Sequence, residues 1–154
     1  SNLQIDFKDV YVIQLFEVDE NGQTILDEWN QPVKEEIITR HEDGSRKETF
    51  CYQIEDGEKV YVRETWYYME GMKHLDGPIE NGKRNGKFET YYKSGRLLSS
   101  GEFVDGAREG KAAVYYENGN IHYEGNYKNG KECGIWKFYH EDGKLYKEVN
   151  RDLR

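Results

Sequence analysis

At 154 residues the chain has room for one ordinary domain or a short repeat array, and too little for two full cores. Hydrophobic residues make up 36%, charged residues 34%, and the mean hydropathy is −1.03, a balance typical of disordered acidic chains. Aromatic residues at 14%, with thirteen Tyr, exclude that reading, because disordered segments are poor in rings. The chain therefore folds around few aliphatic residues, which disfavours a large enzyme with a deep Leu/Ile/Val core. No apolar run of 18 residues is present, so no membrane-spanning helix is expected.

The net charge of −8 is unevenly spread: residues 1–61 carry 6 Lys/Arg against 15 Asp/Glu, and residues 62–150 carry 14 of each. Without a basic patch, binding to a nucleic-acid backbone has little electrostatic support, and attraction to an anionic lipid surface is weakened for the same reason.

In chain order, Val10–Val18 (VYVIQLFEV) is β-branched and apolar and reads as a buried strand. Gln31-Pro32 breaks the chain. Glu36–Arg40, Thr49–Ile54 and Lys59–Val62 read as further strands, with turns at Asp43-Gly44 and Asp56-Gly57. Residues 1–61 are expected to form an acidic N-terminal β cap, since a repeat array needs an atypical end.

The repeats follow, with a period of 24 and no gap. Units 86–109, 110–133 and 134–150 open on Gly86, Gly110 and Gly134, and Gly95, Gly119 and Gly143 fall nine residues later. A degraded unit, 62–85, keeps the register through Gly71, Gly77 and Gly82, and residues 151–154 are a tail. The pair Tyr67-Tyr68 recurs as Tyr91-Tyr92 and Tyr115-Tyr116. Each unit reads as a β-hairpin: a strand such as Lys87–Tyr92, a turn, a second strand such as Arg96–Val104 or Asn120–Lys128, and a turn at Asp105-Gly106 or Asn129-Gly130. Frequent Gly leaves no window for long helices. The fold class expected is all-β: an elongated, single-layer antiparallel meander.

Alternation assigns the faces. Phe88, Thr90, Tyr92, Ala112, Val114, Tyr116, Trp136, Phe138 and His140 share one face, and Tyr91, Tyr115 and Tyr139 lie on the other. Gly101 and Gly125, mid-strand, suit close approach of a ring or a neighbouring backbone. The Tyr91/Tyr115/Tyr139 row reads either as a packing ladder between units or as a binding stripe. With Trp136 and Phe138 these form the candidate partner-binding set.

Chemistry is sparse. His41, His74, His122 and His140 have no other ligand-type residue at metal-site spacing, and His140 stands where other units have Tyr. Glu17–Glu28 partly mimics a calcium loop, but Glu opens it and a strand-like segment precedes it, so an acidic turn at Asn21-Gly22 is expected instead. Ser residues lack a nucleophile elbow, and Glu35-Glu36 point to opposite faces if extended. Cys51 and Cys133, 82 residues apart, are either two thiols or one long-range bridge. No catalytic residue, metal or cofactor is expected.

Units of the form G-x-W/F-x-x-Y-Y-x-x-G-x-L/I-x-x-x-G-x-Y/F-x-x-G resemble the MORN repeat in its bacterial variant form. Gly110–Cys133 fits best, through Tyr115-Tyr116, Asn118-Gly119, Ile121, Gly125, Tyr127 and Gly130. Residues 27–41 resemble the leader that often precedes such repeats. Val62 replaces an opening Gly, and Val149 a mid-strand Gly. The resemblance implies a non-enzymatic scaffold for protein contacts and, debatably, phospholipid headgroups; bacterial members are often labelled antitoxins. The kinase label sometimes attached to such repeats finds no support, because the kinase motifs are missing.

The leading expectation is a non-enzymatic scaffold that binds a protein or peptide through an aromatic sheet face, the partner carrying a basic rim. The alternatives are an antitoxin-like neutraliser of one toxin and a peripheral phospholipid-headgroup module, which the neutral repeats disfavour. The chain opens Ser1-Asn2-Leu3 without Met, so it has been trimmed, processed or tagged. That start and the leader-like stretch lean toward an exported or cell-surface location.

Overall fold

The computed structural model describes Glu20 and residues 34–153. The expected strand at Val10–Val18, the break at Gln31-Pro32 and the calcium-loop-like stretch, Glu20 apart, lie outside the described residues. The described residues form eleven strands: β1 Lys34–Arg40, β2 Arg46–Glu55, β3 Glu58–Tyr67, β4 Lys73–Glu80, β5 Lys83–Arg84, β6 Gly86–Tyr91, β7 Leu97–Val104, β8 Ala107–Tyr115, β9 Ile121–Lys128, β10 Lys131–Tyr139 and β11 Leu145–Asn150. All are antiparallel and join one sheet in chain order, with the short β5 pairing back on β4. No described residue is helical. The expected boundary between residues 61 and 62 falls inside β3, which pairs with β2 on one side and β4 on the other.

Two turn types alternate along the sheet. Asp56-Gly57, Asn81-Gly82, Asp105-Gly106 and Asn129-Gly130 each place both residues at positive φ, as a two-residue hairpin with the strands' own twist requires. The turns after β1, β3, β6, β8 and β10 are longer. At the fourth of these, Tyr116 N donates to Asn120 O at 2.8 Å and Gly119 N to Tyr116 O at 2.9 Å. Here Gly119 takes positive φ and Asn118 does not. Asn118-Gly119 and Asn129-Gly130 are thus one dipeptide in two turns. Asn118 accepts from Asn120 N at 2.9 Å and donates to Glu141 O at 2.8 Å, which holds its backbone in the tighter role.

One layer makes a core by laying rings on glycines. On the ring face, Leu75, Ile79, Phe88 and Phe103 form a buried cluster, with Phe50, Tyr61 and Trp66 packed against it. Phe88 lies on Gly77, where a Cβ would come within 2.4 Å of the ring, and Trp136 lies on Gly125, where it would come within 2.1 Å. Phe88 is 4% exposed and Trp136 2%. Burying each such side chain contributes on the order of 3 kcal/mol. Gly125 therefore serves the close approach of a ring, as its position suggested.

Arg84 crosses this face. Its guanidinium grips Glu64 at 2.9 and 3.2 Å and lies 4.8 Å from the Phe88 ring centre and 5.4 Å from that of Phe103. The charge is matched while the stem and fork cover apolar area.

Candidate protein-binding faces

The opposite, tyrosine face is organised in rows that cross the strands. One row runs through cross-strand partners: Thr49, Thr65, Asp76, Glu89, Ser100, Ala113, Glu124, Lys137 and Glu148. At its N-terminal end the row is sealed. Thr49 is 0% exposed, Thr65 4% and Asp76 8%. Arg63 clasps Asp76 at 2.8 and 2.9 Å, Thr65 Oγ1 donates to it at 2.9 Å, and Lys73 approaches at 3.1 Å. Burial alone would raise the Asp76 pKa; the bond from Arg63 and the Lys73 and Arg63 charges outweigh it and hold the carboxyl below its ordinary value. Cys51 lies beside this lattice, its thiol pushed up to about 11 by burial. Such a thiol is unreactive at neutral pH. Cys51 and Cys133 are both free, so the bridge left open by the sequence is not made.

Further along, the row opens. Where the sealed end has Thr65 and Asp76, the middle has Ser100 opposite Ala113. These small side chains floor a groove of about 420 Å³, walled by Tyr115, Ile121 and Ile135 and rimmed by Lys111, Lys137 and Glu124. Ile135 is 44% exposed. Tyr91, Tyr115 and Tyr139 form the next row, each with an aliphatic cross-strand partner: Leu97, Ile121 and Leu145. Tyr139 donates to Glu124 at 2.9 Å, and partial burial with that bond raises its pKa. The Tyr91 pKa rises with burial and the charges of Glu89 and Asp76. The result is an apolar stripe beside a polar trough.

The five sequence-selected residues do not converge. Tyr91, Tyr115 and Tyr139 share the tyrosine face, half-buried. Trp136 and Phe138 lie on the ring face. At 2% exposure Trp136 has no area left to give a partner, so it is corrected from contact residue to core. Alternation also misplaces Tyr92, Tyr116 and His140, because the strands end one residue earlier. These residues form the first corner of each longer turn and reach sideways. Tyr68, Tyr92 and Tyr116 donate to the carbonyls of Tyr91, Tyr115 and Tyr139, at 2.7, 2.6 and 2.7 Å. His41 Nε2 makes the corresponding contact to Tyr67 O at 2.8 Å. The packing ladder between units is thus built by the second tyrosine of each pair, a role that sequence reading had considered only for the first. The recurring pair was its signal. His140 stacks on Tyr146 at 4.3 Å as Tyr116 stacks on His122, so it does occupy a place in an aromatic row.

The ring face has one irregularity. Position 88 of the period holds Phe88, position 136 holds Trp136, and the equivalent between them is Ala112. A hollow of about 100 Å³ lies there, bordered by Ala112, Arg108, Tyr127 and Trp136. Among the described residues no three of His, Cys, Asp and Glu are placed to hold a metal ion.

A model of the MORN repeat variant family matches residues 84–105, 108–129 and 132–152. The repeats within residues 84–152 are thus of the MORN variant type. No curated protein matches the chain. Similar solved structures include two of TarM. One is an S. aureus mutant in complex with fondaparinux, alpha-GlcNAc-glycerol and UDP, at 12% identity and a TM-score of 0.34, covering 77% of this chain and 20% of that one. The other has 13% identity and a TM-score of 0.31, covering 79% and 21%. The chain spans about a fifth of their length, and likeness at this level carries no argument.

Proposed function

We propose that this chain binds a partner protein across the tyrosine face of its repeats, seating apolar side chains along Tyr91, Tyr115 and Tyr139 and polar ones in the groove beside Tyr115. The observation that carries this is the groove itself: an open trough over Ser100 and Ala113, walled by Tyr115, Ile121 and the exposed Ile135. Tyr is favoured at interfaces because it offers broad area for few lost rotamers. The excess of negative charge in residues 1–61 favours a partner whose rim is basic over that region and whose association slows with salt. A toxin neutralised by this chain would be one partner of this kind, read out by growth rescue on co-expression.

The test is affinity capture from the native cell with wild-type protein, Tyr115→Ala and Ile135→Asp, melting temperatures being measured in parallel. Both variants should keep their melting temperature within a few degrees and lose the wild-type partner. Lost stability with retained partner would make the row a packing element and remove it from the interface.

A further inference from the structure

Arg108 stands one period after Arg84, and the two arginines meet different surroundings. Arg84 has rings beneath it and the Glu64 carboxylate in its fork. Arg108 also lies over rings, 5.1 Å from the centre of Phe103 and 5.3 Å from that of Tyr127. However, the position corresponding to Glu64 is Phe88, one period on, and among the described residues no carboxylate pairs with Arg108. Arg108 as a residue is exposed.

Two further observations fall at the same place. Ala112 leaves the space that a ring fills in the units on either side, as Phe88 on Gly77 and Trp136 on Gly125. Trp136, which borders the hollow, has its Nε1–H buried with no acceptor among the described residues. A guanidinium fork over rings matches a planar carboxylate.

We propose that the hollow at Ala112 receives an Asp or Glu side chain of the partner protein, its carboxylate taken by the Arg108 guanidinium. The molecule supplies the pattern itself in Arg84–Glu64, an arginine over rings closed by a carboxylate. A volume of about 100 Å³ accommodates one short acidic side chain. The hollow lies in the neutral repeats, away from the acidic N-terminal region, so an acidic contact here is compatible with a basic rim elsewhere on the same partner. The inference rests on the scaffold reading only for the source of the carboxylate; the receptor itself is tested without any partner.

The probe is N-acetyl-glutamate amide, titrated at fixed ionic strength against N-acetyl-glutamine amide, with the Trp136 indole N–H followed by nuclear magnetic resonance. The glutamate probe should move that resonance saturably and the glutamine probe should not. Arg108→Gln should weaken the response by about tenfold or more, the scale of one charge-assisted contact. Ala112→Phe, which restores the ring of the neighbouring units, should abolish it while the melting temperature holds or rises. Equal response to both probes, no saturable response, or full binding in Arg108→Gln would overturn the proposal. None of those results touches the tyrosine face, whose test is the Tyr115→Ala capture.

Discussion

Between β2 and β4 the central row of the tyrosine face is a sealed lattice of threonine, aspartate and arginine; between β7 and β10 the same row is an open trough. The backbone is continuous and the pairing rule is the same, so the difference lies wholly in side chains. Thr49, Thr65 and Asp76 are buried and bonded to one another or to Arg63, whereas Ser100 and Ala113 leave space, and Lys137 beside Glu124 faces solvent. The ring face repeats the contrast: a carboxylate closes Arg84, and none of the described residues closes Arg108. One sheet thus uses its first half for stability and leaves its second half with surface to share.

The largest effect expected is steric. Gly125→Val drives a methyl-bearing Cβ into the Trp136 ring and should cost about 3 kcal/mol or more. Gly101→Ala, the equivalent position over Ala112, meets only Ala112 Cβ at 3.6 Å and the mobile end of Arg108 at 3.3 Å, and should cost less than about 1 kcal/mol. Chemical denaturation of both variants measures the difference. Equal losses would show that the ring-on-glycine contact does not distinguish the units.

Next comes the sealed lattice. Asp76→Asn leaves Arg63 facing a neutral group in a buried place and should cost about 3 kcal/mol at pH 7. Because the folded-state pKa of Asp76 lies below its unfolded value, its contribution is complete above about pH 3.9 and fades as pH falls through the folded value. The gap in melting temperature between wild type and Asp76→Asn should therefore close on acidification below about pH 4.

Smaller effects probe the connections. Gly119→Val places a β-branched residue at φ 95° and should cost more than about 1 kcal/mol; an unchanged melting temperature would refute the turn described here. Tyr116→Phe removes one bond to the next unit and should cost about 1 kcal/mol, while Tyr115→Phe should stay within about 0.5 kcal/mol. Equal effects for the two would erase the division of labour within the Tyr-Tyr pair.

Much of the fold was legible because its causes are local. Asn129-Gly130 and Asp105-Gly106 dictate hairpins through their own φ values, and a 24-residue spacing of Gly carries the register from unit to unit. Alternation placed Phe88 and Trp136 on one face and Tyr115 and Tyr139 on the other, for as long as each strand lasted. It failed at Tyr92 and Tyr116, where the chain leaves the strand for a turn and parity no longer has meaning.

The contents of each face were decided by tertiary structure. That Trp136 is core rather than contact depends on Gly125, a residue eleven positions earlier, coming under its ring. The Tyr68, Tyr92 and Tyr116 hydroxyls find carbonyls 23 residues away, and Arg84 finds Glu64 across the sheet. Substitutions such as Ala112 for an aromatic are visible as letters. Whether such a gap is filled by a neighbour or left as a hollow depends on how adjacent strands pack around it, which no local pattern carries. Sequence alone determined the meander and its period, since turn geometry and side-chain alternation act over a few residues. The sealed and open halves arose only when distant charges and rings met across the strands.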